Sequence, residues 1–381
     1  MQNKVCMKSL RKMVVKVGTS TLTQNGKKLS RRYMLSLVQQ LSSLHAQGMQ
    51  IVLVSSGAIT AGKEVLNFPK VDRSLPSKQM FASIGQVKLM QIWTELFSLF
   101  ELNIGQVLLT RDDLSNRKRY LNARDTLQCL LKHHVIPIIN ENDAVATKEI
   151  RVGDNDNLAA LVANLIDADL VILLTDQEGL FTADPRLDTQ AKLIPVVNRI
   201  DESIFSLAGG SSSSLGTGGM FTKIEAAQMA SQSGTPTIIA SAAHPNILID
   251  LALGKQIGTL FLEEMTSRES RKRWLLSEKR KGMIYVDSGA AEKILYHGAS
   301  LLSSGIIKTS SKFERASAVE IISSTNEAIA VGITNYGSQD VQKLIGKQSK
   351  CIEDILGYSY GPEIIHRTNM TRIKFKEKNP S

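Results

Sequence analysis

The stretch Gly153-Asp154-Asn155-Asp156-Asn157 leads directly into an apolar-periodic segment, Leu158-Ala-Ala-Leu-Val-Ala-Asn-Leu-Ile166. The spacing of the apolar residues predicts a helix. One Asn or Asp side chain is enough to cap the first turn of a helix, and this stretch offers four of them. The surplus indicates either a polar turn with no further role or a turn that also binds a ligand.

A second polar cluster precedes the first, at Asn140-Glu141-Asn142-Asp143, where the apolar run Val135–Ile139 ends. A short apolar run followed by polar residues is typical of a buried strand that ends in a loop. Taken alone, either cluster could be a simple turn. Taken together, the two clusters could line one cleft.

Further apolar runs alternate with helical patterns through the first two thirds of the chain. The predicted strands are Met13–Val17, Gln50–Val54, Gly105–Thr110, Val135–Ile139, Leu170–Leu174, Pro236–Ala240 and Gly258–Leu262, and helical patterns include Arg31–Gln47 and Tyr120–Lys132. This alternation predicts an α/β fold, with an open, mainly parallel sheet sandwiched by helices. Ligands bind beyond the carboxyl ends of the strands in such sheets, and the polar clusters fall at those ends.

Two lysines stand at positions where phosphate binding is a plausible role. Lys16 lies near the end of the first predicted strand, so it is either an edge-strand lysine facing water or one that meets phosphate oxygens. Lys223 follows the glycine-rich segment 209–219 and opens a predicted helix that runs to about Gln232. Glycines before a helix start suit a phosphate cradle, but a flexible linker has the same composition and the Walker A spacing is absent.

Composition sets broad limits on the function. The 381 residues are 43% apolar and 22% charged, with a net charge of +10, which favours anionic partners without identifying them. The length predicts more than one domain. Cys6, Cys129 and Cys351 are far apart, as in proteins of reducing compartments, and neither they nor the histidines show metal-ligand spacing. No apolar run is as long as a membrane span, and the expected location is the cytoplasm.

The pattern of alternating predicted strands and helices ends at about residue 265. A charged segment at 266–280 reads as a connector, and it is followed by short strand patterns separated by turn signals. We therefore expect four parts: a catalytic domain at 1–265, the connector, a small β-rich domain at 281–360 and a C-terminal tail at 361–381.

The motifs together resemble the amino acid kinase family, and the resemblance runs nearly end to end. The matching stretches are Val14-Val-Lys16-Val-Gly-Thr-Ser20, Ser55-Ser56-Gly-Ala-Ile59, Leu121-Asn-Ala-Arg124-Asp-Thr-Leu127, Ile139-Asn-Glu-Asn-Asp143-Ala-Val145, Val152-Gly-Asp154-Asn155-Asp156-Asn-Leu158, Leu174-Thr175-Asp176-Gln177, Thr182-Ala-Asp-Pro-Arg186 and Gly216-Thr217-Gly-Gly-Met-Phe-Thr-Lys223. Several are typical of the members that phosphorylate glutamate. The stretch Gly282–Ala290, with Ser300–Leu302 and Gly305-Ile306, resembles a PUA domain, a β-barrel-like module also found on RNA-modifying enzymes.

The resemblance implies ATP-dependent phosphorylation of the γ-carboxylate of L-glutamate, the first step of proline synthesis, with proline as a feedback inhibitor. It assigns Lys16 and Lys223 to the ATP phosphates and Asp156 to holding both ammonium groups. Ser56, Asp143 and Asn155 would bind glutamate, with Asp143 facing the α-ammonium and the other two donating to carboxylate oxygens. The ATP-binding positions are Lys16, Thr175, Asp176, Thr217, Gly218, Gly219, Met220, Phe221, Thr222 and Lys223. Mg²⁺ would be carried mainly by the nucleotide.

Other partners and two rival functions also belong to this interpretation. The family resemblance implies a homo-oligomer, a dimer or tetramer, and permits coupling to glutamyl phosphate reductase. One rival is another acyl-phosphate-forming kinase of the family, acting on aspartate or acetylglutamate. The other is an RNA-binding protein with a degenerate kinase domain, against which count the intact Lys16, Asp156 and Lys223 and the low aromatic content of 5%. The PUA-like C-terminal domain makes nucleic acid a further candidate partner.

Overall fold

A computed structural model describes residues 10–72, 74–145, 155–208 and 219–373 of the chain. The chain divides between Ser267 and Arg268 into two compact units. The sites expected at Thr217 and Gly218 lie outside the described residues. In the described ranges, no helix is both long and apolar enough to cross a membrane.

The first unit is built on an eight-stranded sheet. Its strands are β1 Lys12–Val17, β2 Gln50–Ser55, β3 Ile104–Leu109, β4 Ile136–Glu141, β5 Leu170–Thr175, β6 Val196–Val197, β7 Thr237–Ser241 and β8 Thr259–Phe261. They lie in the order β3-β4-β2-β1-β5-β7-β8-β6. All neighbours run parallel except β7 and β8, so β8 and its parallel neighbour β6 oppose the rest. The predicted α/β class with a mainly parallel sheet is confirmed.

Helices cover both faces of this sheet. They are α1 Thr19–Thr23, α2 Arg31–Ala46, α3 Ala58–Val65, α4 Leu75–Ser98, α5 Arg111–Ser115, α6 Arg117–Lys132, α7 Asn155–Ile166, α8 Glu202–Leu207, α9 Met220–Gln232 and α10 Ile247–Ala252. One core cluster joins the sheet to α2, α4 and α10, and a second joins the opposite face to α6, α7 and α9. Strands buried on both faces explain the continuous apolar runs in the sequence.

The sequence pattern does not predict α4, although it is the longest helix at 24 residues. Its buried side chains, Phe81, Leu89, Ile92, Trp93 and Phe97, do not form a narrow stripe, because α4 packs against both α2 and α3 as well as the sheet. A helix with several packed faces loses the simple period on which recognition depends. Ser74 caps it by accepting a hydrogen bond from the backbone N–H of Ser77 at 3.3 Å.

Two glycines allow α3 and α4 to cross closely. A Cβ added to Gly85 would lie 1.7 Å from the carbonyl oxygen of Ala58, and one added to Gly62 would lie 2.0 Å from that of Phe81. Neither obstacle can move independently of its backbone, so only glycine fits. Because α3 begins at Ala58, this crossing also fixes the loop that carries Ser56 and Gly57.

The expected effect of Gly85→Ala is a loss of about 3 kcal/mol or more in the free energy of unfolding, since the new methyl group can only be accommodated by separating the two helices. Ser83→Ala, on an exposed turn of the same helix, is the control and should stay within about 0.5 kcal/mol of the wild type. Urea unfolding measures both. Equal stabilities for the two variants would contradict the close crossing.

The second unit has its own five-stranded sheet. After helix α11, Ser267–Ser277, come β9 Gly282–Val286, β10 Ile306–Ser310, β11 Ala318–Ile322, β12 Ala328–Ile333 and β13 Met370–Arg372, in the order β10-β9-β11-β12-β13. Helices α12 Ser288–His297, α13 Ser338–Leu344 and α14 Ile352–Leu356 and three short 3-10 turns, Ser303–Gly305, Ser349–Cys351 and Arg367–Asn369, complete it. Its core, which includes Tyr336, is separate from the two cores of the first unit.

Residues 361–373 are not a tail, contrary to the expectation from the sequence. Strand β13 pairs with β12, and Ile364 and Ile365 are fully buried in the core of the second unit. Strand β13 is only three residues long, which is too short to produce a recognisable alternation of apolar and polar residues in the sequence. The end of the expected tail, 374–381, lies outside the described residues.

Candidate active site

Lys16 is buried inside the sheet rather than exposed at its edge. Strand β1 pairs with β2 on one side and β5 on the other, so the edge-strand alternative is excluded. Alternation along β1 sends Met13 and Val15 into one core and Val14 into the other, and Lys16 shares the face of Val14. Only 3% of Lys16 is exposed. That face is the one covered by α7 and α9.

Asp156 brings the two expected lysines together. Its Oδ1 lies 2.5 Å from the Nζ of Lys16, and its Oδ2 lies 3.0 Å from the Nζ of Lys223. Asp156 is fully buried and Lys223 is 4% exposed. Charges this deeply buried are tolerated when they are paired, so the three residues form one electrostatic unit at the carboxyl edge of the sheet.

Helix geometry explains why these residues meet. Asp156 lies in the first turn of α7, where a carboxylate is favoured by the helix dipole. Lys223 lies in the first turn of α9, where the same dipole disfavours a cation, so the position of this lysine depends on Asp156. Thr222 supports the arrangement, since its hydroxyl lies 3.3 Å from Asp156 Oδ2 and 2.9 Å from the carbonyl oxygen of Gly219.

The N-terminus of α9 offers space and main-chain donors. Gly219 is the N-cap residue and provides no side-chain cap. A Cβ added to Gly219 would meet none of the described atoms within 4 Å, so these residues leave the first turn of α9 accessible. Unused N–H groups at a helix N-terminus bind anions, and the expected positions Gly219, Met220, Phe221 and Thr222 all lie there.

The remaining expected ATP positions, Thr175 and Asp176, lie at the end of β5. Thr175 is the last residue of β5, and its hydroxyl donates to Asp176 Oδ1 at 3.0 Å. Phe221 is 37% exposed, and its ring lies 5.3 Å from that of Phe205 on α8. The sequence did not single out Phe205, because one aromatic residue in a short helix carries no signal of its partner.

A chain of hydrogen-bonded polar side chains begins at Asn155, the residue next to Asp156 on α7. Asn155 donates through Nδ2 to Ser56 Oγ at 2.8 Å and to Asn140 Oδ1 at 3.0 Å. Asn140 in turn donates through Nδ2 to Gln86 Oε1 at 2.9 Å. The backbone N–H of Ser56 also donates to the carbonyl oxygen of Val17, which joins the loop after β2 to the end of β1. The two polar clusters of the sequence therefore do line the same edge of the sheet.

These hydrogen bonds change the role expected for Asn155 and add Asn140 and Gln86 to the candidate site. Both N–H groups of the Asn155 amide are used within the protein, so the expected donation to a substrate carboxylate is not available. Asn140 had a signal in the sequence, as a polar residue at the end of a buried strand. Gln86 had none, because its helix is not predicted and its position facing Asn140 depends on tertiary packing.

Asp143 lies just beyond the end of β4 and is partly buried. Burial raises its pKa above the usual value of an aspartate. Among the described residues the cause of this shift is loss of hydration on burial, and no cation of theirs offsets it. A carboxylate in that condition is suited to a ligand that brings its own positive charge.

The described residues offer no preformed metal site, since no three of their histidine, cysteine or acidic side chains cluster as ligands. Both oxygens of Asp156 are already engaged by lysines.

Comparison with known proteins places this arrangement in a family. Residues 11–241 match the model of the amino acid kinase family, and residues 282–356 match that of the PUA domain. The glutamate 5-kinase of Haemophilus influenzae (strain PittGG) is 50% identical over 359 residues, covering 94% of this chain and 98% of that protein. The glutamate 5-kinase of Sodalis glossinidius (strain morsitans) is 49% identical over 364 residues, covering 96% and 99%.

A solved structure, the UMP kinase from Bacillus anthracis, aligns with 67% of this chain and 97% of its own, at a TM-score of 0.46 and 13% identity. The two curated relatives, by contrast, match almost from end to end. The chain therefore belongs to the amino acid kinase family, in its glutamate 5-kinase branch, and carries a PUA domain after the kinase domain.

Proposed function

We propose that this kinase transfers the γ-phosphoryl group of ATP to the γ-carboxylate of L-glutamate, which forms L-glutamyl 5-phosphate in the first step of proline synthesis. The observation that carries the proposal is the convergence of Lys16 and Lys223 on Asp156, next to the Ser56–Asn155 pair. The two ammonium groups on Asp156 are suited to bind phosphate oxygens, and the Ser56–Asn155 pair is suited to bind the polar groups of an amino acid. The two groups adjoin because Asn155 and Asp156 are consecutive residues of α7.

The phosphate half acts through charge. In phosphoryl transfer the negative charge spreads over the oxygens of the moving group, and fixed cations stabilise it. Lys16 and Lys223 provide these cations, and Asp156 is the positioning residue that holds both ammonium groups. In the proposed complex the N-terminus of α9 receives further phosphate oxygens, and Thr175 and Asp176 contribute from the end of β5. Mg²⁺, carried by the nucleotide, neutralises part of the phosphate charge.

The acceptor half acts through orientation. The γ-carboxylate of glutamate is ionised at neutral pH, so it attacks without a general base. Ser56, Asp143 and Asn155 hold the amino acid so that its carboxylate is in line with the transferred group. Alignment of two reactants contributes on the order of 7 to 11 kcal/mol to catalysis.

Trapping of the product with hydroxylamine tests the proposal. With MgATP and L-glutamate the full chain should release ADP and form the γ-glutamyl hydroxamate. L-Aspartate and N-acetyl-L-glutamate, the acceptors of the rival kinases, should give none. ADP release and hydroxamate formation with either rival, and not with glutamate, would overturn the proposed acceptor. Inactivity with all three acceptors would contradict a kinase function and favour the RNA-binding alternative.

The raised pKa of Asp143 predicts a pH dependence of binding. Only the ionised carboxylate attracts the α-ammonium, and its ionised fraction falls as the pH decreases through that raised pKa. The KM for glutamate should therefore rise on acidification, starting at a higher pH than an ordinary aspartate would give. Asp143→Asn should raise this KM at neutral pH and flatten its acid limb, with the KM for ATP as the control.

Folding responds to Asp143 in the opposite sense. A carboxyl group with a raised pKa stabilises the fold in its protonated form, and that contribution is lost as the pH rises through the pKa. Asp143→Asn should accordingly lose no stability at neutral pH. A large drop in the unfolding midpoint, in place of a change in KM, would contradict the binding role.

Inhibition by proline is part of the proposal, because proline shares the α-ammonium and α-carboxylate of glutamate. We place it in an overlapping site around Ser56, Asp143 and Asn155. The expected result is that inhibition weakens as glutamate rises, measured as initial rates over a grid of both concentrations. Inhibition that persists at saturating glutamate would show that proline binds elsewhere.

Assembly, coupling and location complete the proposal. Val65, Phe68, Met80 and Val87 are exposed apolar side chains on α3, on α4 and between them, which supports a homo-oligomer formed through that region. The acyl phosphate product hydrolyses readily, which favours direct transfer to a glutamyl phosphate reductase. Use of ATP and few, widely spaced cysteines favour the cytoplasm.

A further inference from the structure

The amide side chains beside the proposed glutamate site form a hydrogen-bonded chain whose direction can be worked out from the backbone. Asn140 Oδ1 accepts from the backbone N–H of Glu141 at 2.9 Å. A backbone N–H can only donate, so the atom facing it must be the carbonyl oxygen of the Asn140 amide. The orientation of this amide is thereby fixed, independently of any other side chain.

The orientation of Asn140 determines those of its two neighbours. Its oxygen also faces Asn155 at 3.0 Å, so Asn155 must present the donor Nδ2. Its nitrogen faces Gln86 at 2.9 Å, so Gln86 must present the acceptor Oε1. Because Asn140 is only 3% exposed, a lost partner would not be replaced readily by bulk water. Gln86 therefore closes one end of the chain.

The other end of the chain lies at Asn155 and Ser56, two of the residues in the proposed glutamate site. The second N–H of the Asn155 amide is used by Ser56 Oγ at 2.8 Å. The carbonyl oxygen of Asn155 is buried and has no hydrogen-bond partner among the described residues. A buried acceptor without a partner costs free energy, unless a ligand supplies the donor. That donor must carry N–H or O–H groups.

We propose that Gln86 and Asn140 are positioning residues that hold the carbonyl oxygen of Asn155 toward the α-ammonium of the amino acid acceptor. The inference rests on the proposed function and deepens it, since it adds an acceptor for the ammonium beside the carboxylate of Asp143. Ser56 accepts from Asn155, and its own hydroxyl hydrogen is directed to a carboxylate oxygen of the substrate. The chain thus selects acceptors that have a free α-amino group.

The test compares variants that keep or remove the acceptor atom of Gln86. Gln86→Glu keeps an oxygen at this position, whereas Gln86→Met has a similar length and no strong acceptor. The readout is the preference for an amine, taken as the inhibition constant of glutarate, which lacks the amino group, divided by the KM for glutamate. A purely structural role would shift both constants together.

Loss of one hydrogen bond in the chain should reduce this ratio about 5- to 10-fold in Gln86→Met, mostly through the KM for glutamate, with little change in kcat. Gln86→Glu should stay within about twofold of the wild type. If the thermal midpoint shows that Gln86→Met folds poorly, the same ratio is measured in Gln86→Leu, which also lacks an acceptor but has another shape.

The outcomes separate this inference from the proposed function. A wild type that fails to phosphorylate glutamate overturns the proposed function. An active wild type with an unchanged ratio in a folded Gln86→Met or Gln86→Leu overturns the amide chain alone. Equal losses in Gln86→Glu and Gln86→Met also overturn it, because packing rather than hydrogen bonding would then be responsible.

Discussion

Replacement of Lys16 or Lys223 by methionine is expected to lower the turnover number about 10²- to 10³-fold, with a small change in the KM for glutamate. In the proposed mechanism both ammonium groups act on charge that develops during transfer, and methionine keeps the length of the side chain without the charge. The measurement is the initial rate of hydroxamate formation at saturating MgATP. The KM for glutamate should stay near the wild-type value because the proposed glutamate-binding residues Ser56, Asp143 and Asn155 are unchanged.

The control for these variants is Lys255→Met. Lys255 lies on the surface, and its Nζ is 2.8 Å from Asp250 Oδ1, so this variant removes an ion pair outside the site. It should keep turnover near the wild-type value. Near-normal turnover in both Lys16→Met and Lys223→Met would place the phosphates elsewhere.

Replacement of Asp156 by alanine is expected to lower the free energy of unfolding by about 3 to 5 kcal/mol, in addition to a large loss of turnover. The cause is that two buried ammonium groups lose the carboxylate that they share. Asp156→Asn keeps the shape and should be less destabilised, while its turnover falls as far. Urea unfolding and the hydroxamate assay measure the two effects.

Asp184→Ala removes an exposed pair with Arg186 and serves as the control. Surface pairs contribute about 0 to 1 kcal/mol, so this variant should remain close to the wild type in stability. If Asp156→Ala were as stable and as active as Asp184→Ala, the buried lysine pair would have neither a structural nor a catalytic role.

The sequence predicts the parts of this molecule in which the pattern is local. The continuous apolar runs predict strands within one or two residues of those observed, such as Leu170–Leu174 against β5. The polar clusters at strand ends predict the edge that carries the candidate site. Lys16 is recognisable because a lysine in an apolar strand conflicts with its surroundings, and such conflicts mark functional positions.

The remaining features depend on packing between distant segments. No local signal shows that Asp156 contacts both lysines, which are far away along the chain, or that Gln86 faces Asn140. Helix α4 escapes prediction because it packs on several sides, and β13 because it is three residues long. The reversed direction of β8 arises only when the chain returns to the sheet beside β7.

The position of Asn155 and Asp156 in the first turn of α7 has an evolutionary consequence. Strands β2 and β4, with Ser56 and Asp143 just beyond their ends, lie on one side of β1, and β5 and β7 lie on the other. On the proposed assignment of Ser56 and Asp143 to the acceptor, substitutions in the loops after β2 and β4 can change which acceptor is accommodated while the lysine pair stays intact. Insertion of a single residue between Asn155 and Asp156 would rotate one of the two side chains by about 100° around the helix axis. Asn155 could then no longer face Ser56 and Asn140 while Asp156 faces the two lysines. Descendants of such a protein can thus diversify in substrate through two loops, whereas this helix start must keep its length.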